Sequence, residues 1–305
     1  MVTIVHSLTT RRKTNTMNIA IIGIGLMGQA LGERLLEQQQ SLTVYNRSHD
    51  KTHELQQRGA SVASSAQQAV ANSDFCLLFL SDATAINTVL DDIDPQVFNG
   101  KIIIQMGTIA PSESRTLAEH ISQSGGQYLE CPVLGSLPEA RSGSLILMAA
   151  GERSVFDAAL PLLKLIGNSP EHFGDTGQGS TVKLAMNQLI AGLTSSFALS
   201  LALVEKEGAN VDQFMSVVRD SALYAPTFDK KLDRMLSGDF TNPNFPTKHL
   251  AKDTTLFLNV AKQLALDTSA LEGISILLEH TLAKGLADTD YSAIYAGINP
   301  DKDIK

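Results

Sequence analysis

The stretch "AIIGIGLMGQALGERLL" constrains the fold more than any other part of the chain. An apolar strand runs into glycines at 23, 25 and 28, and a helical pattern follows with Leu26, Ala30, Leu31 and Leu35 on one face. Gly23 permits a tight turn, Gly25 lets backbone approach a pyrophosphate at the helix amino end, and Gly28 lets the helix lie on the sheet. The glycine spacing alone is a weak signal. With a strand before it and a helix after it, the spacing predicts a dinucleotide-binding turn that includes Leu26 and Met27. The end of the second strand, at 42–45, bears on which dinucleotide binds. An acidic residue there takes the ribose hydroxyls of NAD, but this chain has Asn46, Arg47 and Ser48. No carboxylate repels a 2′-phosphate. Arg47 offers a planar fork for one and Ser48 a further hydrogen bond, so NADP(H) is the expected cofactor.

The alternation of strand and helix continues. Strands around 75–80, 101–105, 127–130 and 144–149, a short polar helix ending at Gly59, a helix in "ERSVFDAALPLLKLIG" and a last short strand at "EHFG" predict an open, mostly parallel sheet. The glycine-rich "GDTGQGS" marks a change. A long helix over 180–207 follows, and after it only helical segments, at 211–219, 222–236, 247–266 and 270–284. The expected organisation is an α/β Rossmann-type NADP-binding domain over 17–179. A long helix joins it to an all-helical domain over 180–305 that serves substrate binding and dimerisation. Residues 1–16 are polar and acid-free, which fits a flexible tail, or less simply an organellar presequence.

The chain has 305 residues, 43% hydrophobic and 18% charged, with a net charge of -8. That length accommodates two cores, and the acidic balance gives no attraction to nucleic acid or anionic membrane. No apolar stretch reads as long enough to span a bilayer. The expected location is cytoplasmic, with no nucleic-acid or membrane partner. Cys76 and Cys131 lie in apolar runs without metal-ligand spacing, as buried thiols of a reducing compartment do, and no metal is expected.

"GSTVKLAMNQLIAGL" places Lys183 and Asn187 four residues apart, side by side on a helix. Spacing leaves two readings open: a solvated lysine beside a polar neighbour, or a proton donor and the residue that aims it. Lys183 follows the domain boundary, where a cleft forms. A carbonyl under reduction develops negative charge on oxygen, which an ammonium stabilises and protonates.

Four segments, in this order, resemble the β-hydroxyacid dehydrogenase family, which includes 3-hydroxyisobutyrate dehydrogenases: "GIGLMGQALGERLL", "LECPVLGSLPEARSGSLILMAAG", "GDTGQGSTVKLAMN" and "KHLAKD". "FPTKHLAKD" and "GLADTDYSAIY" are similar to the glyoxylate and succinic semialdehyde reductase branch, whose members reduce small aldehyde acids with NADPH. The resemblance implies that Lys183 and Asn187 are catalytic and that Lys252 approaches the cofactor. It implies that Leu80 and Ser81 line the cofactor cleft and that Thr108 meets nicotinamide and substrate. Gly135 and Ser136 are then expected to border the substrate carboxylate, with Phe245 and Asp253 contributed by the helical domain.

Leu134 stands where the family usually has serine. A hydroxyl can bind a carboxylate, whereas leucine fills space. That substitution admits a bulkier or less polar carbonyl or an imine, or it is a neutral change in an intact pocket. Related imine reductases generally lack the lysine, so Lys183 favours carbonyl chemistry. The expected function is NADPH-dependent reduction of a small aldehyde or keto acid. The alternatives are NADP-dependent oxidation of a 3-hydroxy acid such as 3-hydroxyisobutyrate, imine reduction, and non-catalytic NADP(H) sensing. The small-residue run "AGLTSSFALSLALVE" suits a homodimer, with a tetramer as the larger alternative and packing within the domain as the simpler one.

Overall fold

The computed structural model describes residues 16–305; apart from Thr16, the tail expected over 1–16 lies outside them. Six strands form one parallel sheet: β1 (Asn18–Ile22), β2 (Ser41–Tyr45), β3 (Ser61–Val62), β4 (Phe75–Leu78), β5 (Ile102–Gln105) and β6 (Gln127–Glu130). Their order is β3-β2-β1-β4-β5-β6, so the chain reverses direction across the sheet between β1 and β4. Ligands bind at the carboxyl ends of strands beside such a reversal.

Helices α1 (Leu26–Glu37), α2 (His53–Gln57), α3 (Ala66–Ala71), α4 (Ala83–Asp91), α5 (Pro111–Gln123), α6 (Leu137–Ser142) and α7 (Arg153–Ile166) complete this half. Successive strand residues point to opposite faces. Ile19 and Ile21 therefore join the core that includes Leu31 and Leu35 of α1 and Leu162 of α7. Ala20 and Ile22 join the other core, with Ile86 of α4 and Leu117 of α5.

The expected strands at 144–149 and "EHFG" do not extend the parallel sheet. They form a second one, with β7 (Val133–Leu134) antiparallel to β8 (Ile146–Ala149) and β9 (Glu171–His172) parallel to β8. Only Cys131 and Pro132 separate β6 from β7. A parallel connection needs a crossover of roughly a dozen residues or more, so the chain turns into a separate small sheet instead.

The remaining helices are α8 (Gln178–Lys206), α9 (Val211–Asp220), α10 (Pro226–Ser237), α11 (Thr247–Gln263), α12 (Ser269–Ala283) and α13 (Ile294–Ile298). The boundary expected at 179–180 falls inside the first turn of α8. Leu184, Asn187, Ala191, Thr194, Ala198 and Leu201 recur every three or four residues and form the buried stripe of α8. Leu189, Leu193, Leu199 and Leu203 remain exposed on its other side. α8 has 29 residues, and an 18-residue window within it reaches a mean hydropathy of 1.4, so it is long and apolar enough to cross a membrane, contrary to the expectation that no stretch is. Here it contacts α9 to α13 of its own chain.

α10 starts at Pro226 rather than at 222. Proline fits a first helical turn and holds Ala225 extended, at φ -126° and ψ 135°. α11 stops at Gln263, two residues before Ala265, which turns the chain with a φ of 56°. The short apolar α13 has too few residues to show a periodic pattern.

Candidate active site

One end of the cleft is built from backbone. The Gly23 amide donates to the Tyr45 carbonyl at 3.0 Å, which closes the turn on β2. Gly23 has a φ of 100°, in the left-handed region where other residues are strained. A Cβ on Gly28 would overlap the Gly23 carbonyl oxygen, so α1 can start this close to β1 only with glycine there. Gly25 and Leu26 are exposed, and the space a Cβ of Gly25 would fill is open. No side chain caps α1, which leaves its amides for an anion. This turn fits a dinucleotide pyrophosphate.

Asn46 braces the turn: its Oδ1 accepts from the Ile24 amide at 2.9 Å and its Nδ2 donates to the Ser48 carbonyl at 3.0 Å. Arg47 and Ser48 are exposed on the same edge, and Arg47 has no ion pair among the described residues. Leu80 lies behind Gly23, and Met27 packs on the sheet core.

The other end is built from buried charge. Lys252 Nζ donates to the carbonyls of Ser81, at 2.9 Å, and Thr108, at 2.8 Å. It also pairs with Asp253 Oδ1 at 2.8 Å. The amine that resemblance directs toward the cofactor thus ties the loops after β4 and β5 to α11. Asp253 is 3% exposed. Its Oδ2 accepts from Asn187 Nδ2 at 2.6 Å, across the contact of α8 with α11. Asn187 is itself buried, and its Oδ1 has no partner.

One turn earlier on α8, burial pushes the Lys183 ammonium down to about 8. The Asp253 charge acts upward against that shift, and the Lys252 charge adds to it. Lys183, Asn187, Asp253, Lys252, Thr108 and Ser81 therefore share one neighbourhood. Of these, Thr108 and Lys252 line a cavity of about 260 Å³, together with Asp82, Thr255 and Asn259; Lys183, Asn187 and Asp253 do not line it.

Two expected contributors are held differently. Ser136 donates its amide, at 2.8 Å, and its hydroxyl, at 2.6 Å, to Glu139 Oε2, so both donors are engaged within the capping box of α6. Leu134 is half-buried at the end of β7, and Gly135 beside it is exposed. Phe245 sets its ring edge to Tyr291 at 5.8 Å and lies nearly parallel to His249 at 6.3 Å, with no hydrogen bond to the Lys183 group. His249 is half-buried, and burial pushes its imidazole down.

Sequence reasoning passed over Glu130, a glutamate inside the apolar run "YLECPVL" that is completely buried. Both cysteines are buried and free, as expected.

Two family models match the chain in succession. Residues 18–177 match the family model described as the NAD binding domain of 6-phosphogluconate dehydrogenase. Residues 177–298 match the model described as NAD-binding of NADP-dependent 3-hydroxyisobutyrate dehydrogenase. The chain is 30% identical to glyoxylate/succinic semialdehyde reductase 1 of Arabidopsis thaliana, over 92% of this chain and 98% of that protein. It is 29% identical to the chloroplastic reductase 2 of the same plant, over 96% of this chain and 82% of that protein. Among solved structures, 3-hydroxyisobutyrate dehydrogenase from Salmonella typhimurium shares the fold, with a TM-score of 0.82 at 24% identity over 92% of this chain and 99% of that one.

Proposed function

Because the chain belongs to the 3-hydroxyisobutyrate dehydrogenase-like family of NADP-binding oxidoreductases that act on CH–OH and carbonyl groups, we propose that it reduces a small aldehyde or keto acid, of the succinic semialdehyde or glyoxylate type, with NADPH. The observation that carries this reading is the group of half-buried Lys183 with buried Asn187 and Asp253 beside the cofactor edge. Bound NADPH supplies the hydride, and the glycine turn, with Arg47 and Ser48, holds it. Lys183, as an ammonium below about pH 8, steadies the carbonyl oxygen and gives it a proton. Asp253 fixes the amide of Asn187 and leaves its Oδ1 to orient the lysine or the substrate hydroxyl. In the reverse direction the neutral amine accepts the proton of a hydroxy acid.

The exposed leucine stripe of α8 supports a homodimer as the working assembly. The free, buried cysteines fit a reducing compartment such as the cytoplasm.

The test is NADPH consumption across a panel of small aldehydes, keto acids and cyclic imines, with and without Lys183→Ala. Turnover of an aldehyde or keto acid that depends on Lys183 supports the reading. Faster oxidation of 3-hydroxyisobutyrate with NADP⁺ would favour the hydroxy-acid direction. Cofactor binding without turnover of any compound would favour a sensor.

A further inference from the structure

We propose that Glu130 is the positioning residue for Lys183: it ties the first turn of α8 to the edge of the cofactor sheet, so the sheet rather than the helical domain places the amine. This rests on the reading of Lys183 as proton donor. Glu130 ends β6 and is completely buried. Its Oε1 accepts from the amides of Gly177 and Gly179, both at 2.8 Å, and of Ser180 at 3.2 Å. Its Oε2 accepts from the Ser180 hydroxyl at 2.7 Å and from the Ser114 hydroxyl of α5. Ser114 is in turn hydrogen-bonded to Tyr128 at 2.9 Å.

Among the described residues no cation pairs with Glu130. Amide donors and the positive end of the α8 dipole are what compensate its charge. Any movement of this turn away from β6 would strand a buried carboxylate, which is strongly unfavourable. Lys183 follows Ser180 by three residues, within the same turn. Asn187, one turn later, is held by Asp253 of the helical domain. The helix therefore passes from one domain's hold to the other's between these two residues. The charged groups that act on the amine are Asp253 and Lys252 of α11. If the first turn loosens, the amine gains access to water.

The experiment is NADPH-driven reduction as a function of pH, for the unmodified enzyme, Glu130→Gln, Ser180→Ala and Lys183→Ala. For Glu130→Gln, kcat is expected to fall about tenfold or more while KM for NADPH, set at the other end of the cleft, changes less than about twofold. The inflection of kcat is expected to rise from about 8 toward the ordinary lysine value of about 10.4. Ser180→Ala is expected to move both in the same direction by less, and it carries the test if Glu130→Gln fails to fold. A lowered kcat with an unmoved inflection would mean that Glu130 only supports the fold, and an unchanged kcat would mean that it does not act at all; either overturns the proposal. If Lys183→Ala alone abolishes turnover while the other variants leave the inflection in place, positioning falls and the proposed function stands. Full turnover by Lys183→Ala would overturn both.

Discussion

The two ends of the cleft solve opposite problems. At the β1–β2 end the contacts are backbone amides, an open glycine and two exposed side chains, Arg47 and Ser48. At the α8–α11 end they are side chains held away from water: Asn187 2% exposed, Asp253 3%, and a lysine whose ammonium is destabilised by burial. A phosphate arriving from solvent needs accessible donors and a surface that pre-exists it. A proton delivered at one atom needs a fixed donor whose affinity lies near working pH. Exposure serves the first purpose and burial the second.

That contrast is broken most severely at Lys183. Its replacement by alanine should lower kcat about 10³-fold and leave NADPH binding near its original strength, measured by steady-state kinetics and cofactor fluorescence. Asp253→Asn should cost less, about 10- to 100-fold in kcat, because the amide of Asn187 loses a charged partner. In that variant the Lys183 inflection should also move below about 8, because the Asp253 charge favours the ammonium. At the open end, Arg47→Ala should raise KM for NADPH about tenfold and leave NADH kinetics unchanged, which separates phosphate recognition from chemistry. If Arg47→Ala depressed kcat more than Asp253→Asn does, the division of labour would be wrong.

The same contrast decided what the sequence revealed. The glycine turn is local: strand, three glycines and helix lie within one short segment, and the spacing carries the geometry. Lys183 and Asn187 are also local, one helical turn apart. Asp253 comes from 66 residues beyond Asn187, and Lys252 from 171 residues beyond Ser81. Only tertiary packing brings these together, and nothing but resemblance pointed to them. Glu130 meets the start of α8 from about 50 residues away for the same reason. Ser136 is a different case. "SLPE" is a readable capping box, and its glutamate already takes the donors expected for a substrate. In the second small sheet, β7 has only two residues and carries no alternating pattern, and nothing local in 144–149 or "EHFG" shows that those strands pair apart from the main sheet.

The most direct test is the pH dependence of kcat in both directions with Lys183 intact. The group is protonated below its pKa and neutral above it. Reduction should therefore be fast in acid and fall as pH rises through about 8, while oxidation of the hydroxy acid should rise through the same point. Flat profiles across that region, or inflections that persist in Lys183→Ala, would contradict the assignment of the proton to this amine.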